Sequence, residues 1–61
     1  MKRIDLLKHL RRHGCRFVRE GGGHSIWENP ANRRRTAIKR HREIPDVTAA
    51  RTCKQLGVPP P

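Results

Sequence analysis

Ile4, Leu6, Leu7 and Leu10 recur at helical spacing among charged neighbours, which predicts a helix over 3–13 with Gly14 as its left-handed stop. From Cys15 the period becomes two. Cys15 and Phe17 fall on one side and Arg16 and Val18 on the other, the pattern of a half-buried strand over 15–19. Gly21, Gly22 and Gly23 make a turn, and a second strand over 24–29 ends at the turn signal Asn29-Pro30. A polar loop leads to a third strand over 35–39 with Ile38 pointing inward. After Pro45, with Asp46 or Thr48 as its cap, a second helix over 47–56 aligns Ala49, Thr52, Cys53 and Leu56 on one face. Gly57 and the closing prolines end it, leaving 57–61 as a tail. The expected architecture is one α+β domain over 1–61, in the order α-β-β-β-α. Its three-stranded antiparallel sheet carries both helices on one face and leaves the other open.

Strand parity then sorts the second strand. Trp27 is the best core residue in the chain, and burying it takes Ser25 and Asn29 inward while His24, Ile26 and Glu28 go to the open face. His24 therefore stands beside the glycine turn. Gly22 and Gly23 leave the imidazole accessible and offer bare N–H groups to an anion. The plainer alternative is a hairpin that uses glycine for its backbone alone. Ile26 is an apolar spot on the same face that a partner protein would cover.

Length limits the chemistry. A chain of 61 residues buries only about 60% of its unfolded surface, too little to enclose a large cofactor. Charge directs it: fifteen Lys and Arg against five Asp and Glu give +10, which calls for a polyanionic partner. The excess of Arg favours nucleic acid. No apolar run approaches a membrane span and MKRIDLL lacks the apolar core of a signal peptide, so a cytoplasmic location with no membrane partner is expected. Cys15 and Cys53 read as reduced, partly buried thiols. His9 and His13 lie one helical turn apart without a third ligand, so no metal site is expected. Six cations, Arg33, Arg34, Arg35, Lys39, Arg40 and Arg42, form the densest basic run and suit phosphate contact.

An exposed histidine beside an anion-friendly turn on so basic a chain has the makings of an RNA-cleaving site. RNA brings its own nucleophile, the 2′-OH, and needs only a proton-transfer group and cations around the phosphodiester. Glu28 shares the face of His24 but lies about 13 Å away along the strand, too far to join it. A non-catalytic RNA-binding module explains the charge and fold equally well, and leaves the Gly-x-His turn unexplained.

Several spaced motifs then carry a resemblance. Gly14-x-x-x-Val18-Arg19, Gly22-x-His24-Ser25-x-Trp27, Asn29-Pro30, Arg40-His41-x-Glu43-Ile44 and Cys53-Lys54-Gln55-Leu56-Gly57 resemble the HicA family of toxin ribonucleases nearly end to end. The resemblance implies a fold like the double-stranded-RNA-binding domain, metal-independent endonucleolytic cleavage of mRNA without a cofactor, and a HicB antitoxin that covers the site. It implies His24 as the catalytic histidine and gives His41 a supporting or RNA-contacting role. Around His24 and Ile26 it implies the antitoxin interface. Three positions depart from the family pattern: Gly23 replaces a serine or asparagine, Lys39 a proline, and Thr52 a larger aliphatic. These departures leave open a degenerate toxin kept as a binding partner.

Overall fold

The computed structural model describes residues 1–61. Its elements are α1 (Arg3–Arg12), β1 (Arg16–Gly21), β2 (His24–Asn29), β3 (Arg34–Lys39) and α2 (Asp46–Leu56). The strands form one antiparallel sheet in the order β1-β2-β3. Leu6, Leu7 and Leu10 of α1 and Ala49, Cys53 and Leu56 of α2 join Trp27 and Ile38 of the sheet in a single core, so both helices cover the same sheet face. Thr52 is buried with them.

Trp27 anchors this core at 1% exposure, as strand parity requires. Arg11 lies over its ring at 5.1 Å, and Phe17 meets it edge-on at 6.3 Å. Phe17 keeps to the face of Trp27, its register partner, but β1 is an edge strand and the ring stays half exposed there. Beyond it the register shifts by one residue at Val18. Strict alternation would turn Arg19 into the core. The bulge instead sets Arg19 opposite Ile26, on the open face, and brings Glu20 opposite Ser25 on the helix side.

The start of α2 also differs from expectation. Neither Asp46 nor Thr48 caps it; Pro45 is the N-cap, with no side-chain cap bond, and Asp46 is the first helical residue. Its carboxylate instead lies 3.2 Å from the N-terminal ammonium. Met1 and Arg3 exchange backbone hydrogen bonds with Ile44 and Arg42 at 2.8 Å, so the chain's first residues form a short ladder with the segment before α2.

At its other end α2 closes on the β2–β3 loop. Gly57 adopts φ 72°, and a Cβ there would fall 2.6 Å from the Asn32 amide. The amides of Asn29 and Asn32 both donate to the Leu56 carbonyl, at 2.8 and 3.0 Å, satisfying an acceptor that the helix itself leaves free. Asn29 is buried, and its own side-chain oxygen accepts from the Ala31 N–H. Asn29→Ala should therefore cost about 1–3 kcal/mol, a fall in Tm of about 4–8 °C per kcal/mol, measurable by thermal unfolding followed by circular dichroism.

Candidate active site

Gly21 closes β1 opposite His24, leaving a two-residue hairpin turn of Gly22 and Gly23. Their φ values, 58° and 81°, are both left-handed, the geometry that matches the twist of a hairpin and favours glycine at both positions. Nothing lies within 4 Å of a Cβ built on either. The backbone thus accounts for these two glycines, and their bareness also keeps the approach to His24 open. The imidazole Nδ1 lies 3.1 Å from the Gly22 carbonyl. Because a carbonyl only accepts, Nδ1 carries the hydrogen and Nε2 is left free.

His24 is half-buried and faces Lys39 directly across the β2–β3 ladder. Both line a groove of ≈ 300 Å³ between β3 and the start of α2, together with His41, Glu43 and Thr48 above an apolar floor that includes Ile38 and Ile44. Beside it runs a second groove along α1, lined by Lys2, Arg3, Arg11, Arg40 and Arg42. The segment 39–43 divides the two: Lys39, His41 and Glu43 face the histidine groove, whereas Arg40 and Arg42 face α1, with Glu43 on the rim of both.

Arg3 holds this divider in place. Its guanidinium donates to the Lys39 carbonyl at 3.1 Å and to the Ser25 hydroxyl at 2.6 Å. Ser25 in turn donates to Glu20, and Glu20 pairs with Arg40 at 3.3 Å. One polar chain therefore ties α1, both strands of the first hairpin and the divider together, immediately beside His24.

The basic run over 33–42 does not stay together. Arg34 pairs with Asn29 and Lys39 with His24, so β3 separates the two clusters by about 17 Å. Arg33, Arg34 and Arg35 lie at the loop end, away from the glycine turn. Arg35 is further committed to Glu28, which also accepts from Arg16, at 3.1 and 2.9 Å. Glu28 stays on the open face with His24, as parity requires, but its carboxylate is buried beneath these two arginines. Hydrogen bonds from Arg16 first, then Arg35, hold it below its ordinary pKa of 4.5. Ile26 is half-buried between Arg19 and Ala37 rather than fully exposed.

Other candidates find structural partners. His9 donates to the Pro59 carbonyl at 2.8 Å and so fastens the tail to α1, and its ring meets that of His13 at 4.6 Å. Cys15 and Cys53 are free and buried, and burial pushes both thiols above their ordinary pKa. No three His, Cys, Asp or Glu side chains converge as metal ligands would. No helix is long and apolar enough to cross a membrane. Sequence reasoning did not single out Arg3 or Glu20 as positioning groups, nor Glu43 and Thr48 as groove residues. The alternation over 39–43 was a readable sign of the divider, but the reach of Arg3 across 22 and 36 residues left none.

The molecule is thus a small, strongly basic α+β domain with an accessible histidine in a groove at the sheet edge. A family model described as the HicA toxin of bacterial toxin-antitoxin systems matches residues 4–58, and the chain belongs to that family, as a toxin of such a system. Comparison with curated proteins and with solved structures finds no match.

The Glu28 ion pairs carry a pH signature. A folded-state pKa below the unfolded one means that stabilisation is present above pH 4.5 and lost as the pH falls through the folded value. Glu28→Gln should destabilise the protein at neutral pH and flatten this acid limb, as read from urea unfolding at a series of pH values. An unchanged acid limb would mean that the pair contributes nothing.

Proposed function

We propose that the protein is a metal-independent endoribonuclease that cleaves mRNA in the cytoplasm and is silenced by a HicB-type antitoxin. The observation that carries this reading is the setting of His24: a histidine with Nδ1 anchored and Nε2 free, opposite Lys39, at the mouth of a groove bordered by a second, cationic one. An imidazole can exchange a proton with the substrate near neutral pH, and the cations favour a phosphodiester over other substrates. Membership of a toxin family supplies the biological frame.

RNA binding then divides unevenly among the cations. Lys39 and His41, with the N–H groups of Gly22 and Gly23, surround the reacting phosphate, Arg40 and Arg42 hold the strand where it crosses the divider into the groove along α1, and Arg33 and Arg34 reach phosphates farther along it. The antitoxin covers the open sheet face, where Ile26 and His24 stand among Arg16, Arg19 and Arg35. A partner with an acidic surface and one apolar anchor fits that pattern.

His24→Ala should fold and bind RNA yet cleave it about 10²- to 10⁴-fold more slowly, assayed on purified RNA in excess chelator. Products should end in cyclic phosphate. Cleavage that stops on chelation would overturn the mechanism, and RNA binding without cleavage by either protein would indicate a binding module. Ile26→Asp should weaken capture of the antitoxin in a calorimetric titration; full affinity would move the interface elsewhere.

A further inference from the structure

We infer that His41 is the second proton-transfer group of the site, the general acid that acts opposite His24 as general base; this rests on the ribonuclease reading above. The alternation of the 39–43 divider turns His41 into the groove that His24 lines, although 16 residues of chain and the whole of β3 separate them. Both imidazoles line this one groove of ≈ 300 Å³, so a phosphodiester seated in it lies between the two.

The anchored tautomer divides the labour. With Nδ1–H given to the Gly22 carbonyl, neutral His24 presents a lone pair at Nε2, the arrangement of a base. With His24 as the base, a second group in the groove is the source of the proton for the leaving oxygen. Lys39 and Glu43 are the other titratable groups that line it; α2 contributes only Thr48 and Thr52, and β3 adds Ala37 and Ile38. Outside the groove, the Arg19 guanidinium lies against Gly21 at the turn. Glu43 is engaged by the N-terminal ammonium at 3.6 Å. Lys39, fixed opposite His24, is suited to balance charge on the phosphate. His41 is the remaining group whose ordinary chemistry delivers a proton near neutral pH.

The step balances without a co-reactant. His24 Nε2 takes the 2′-OH proton as the O2′–P bond forms. The P–O5′ bond breaks, and the departing 5′-oxygen receives a proton from His41. The products are a 2′,3′-cyclic phosphate and a 5′-hydroxyl, and water returns the two imidazoles to their starting protonation states.

The test uses an RNA oligonucleotide bearing the mapped cleavage site, and a twin in which sulfur replaces the bridging 5′-oxygen. A thiolate leaves without needing a proton. His41→Ala should lose about 10²- to 10⁴-fold on the oxygen substrate and recover most of that loss on the sulfur substrate, whereas His24→Ala should stay slow on both. In the pH–rate profile on the oxygen substrate, His41→Ala should abolish the alkaline limb and keep the acid one. His41→Gln, checked by circular dichroism, guards against misfolding. Equal slowing of His41→Ala on both substrates would make His41 a binding group only and overturn the assignment, as would wild-type rates on the oxygen substrate. If the wild type cleaves no RNA in which a site can be mapped, the ribonuclease reading itself falls; if it cleaves both substrates and the His41 variants show no sulfur rescue, only the present inference does.

Discussion

The Arg3 guanidinium, shared between the Lys39 carbonyl and the Ser25 hydroxyl, is the contact on which the rest of the site depends. Ser25 follows His24 in β2, and Lys39 faces His24 and precedes His41 by two residues. The β2–β3 ladder sets the spacing of the two histidine-bearing segments, and a single side chain from the first turn of α1 braces both at the point where the ladder ends. A core of ten apolar side chains aligns helices on a sheet, but it cannot reach the rim where the groove opens. Directional hydrogen bonds do that work here, and charge-assisted ones are the stronger kind.

The architecture was legible because it follows from local periodicities. Trp27 settled strand parity, and through parity the side of the sheet that His24 and Glu28 occupy. Two kinds of feature escaped that logic. The Val18 bulge was invisible because it answers a conflict between alternation and the burial of Arg19, and only the paired register of β2 reveals it. The split of the basic run was invisible for a geometric reason: six cations within ten residues look like one patch until an extended strand holds their ends apart. His24 was found as a motif residue beside its turn. The groove around it was not, since its walls come from β2, the divider and α2, and long-range contacts set them.

Acidic residues are few, and almost all are spent internally. Glu28 braces β1 to β3 across β2 through Arg16 and Arg35. Glu20 ties Ser25 to Arg40, Glu43 and Asp46 face the N-terminal ammonium, and Asp5 lies at the positive end of α1. Four of the five carboxylates thus face cations within the chain, and fifteen Lys and Arg dominate the surface that a polyanion would meet. The same arrangement lets a chain with so much self-repulsion stay folded on a small core.

Arg11 belongs to two environments at once: it lines the cationic groove along α1, and its guanidinium lies over the indole of Trp27, the sole tryptophan. Indole fluorescence responds to the charge and polarity next to the ring. The molecule therefore carries an intrinsic optical reporter, wired through one arginine to the surface where a polyanion would lie. A ligand that draws Arg11 away from the ring would shift the emission of an otherwise sealed tryptophan, so occupancy of that groove can be followed in real time without a label.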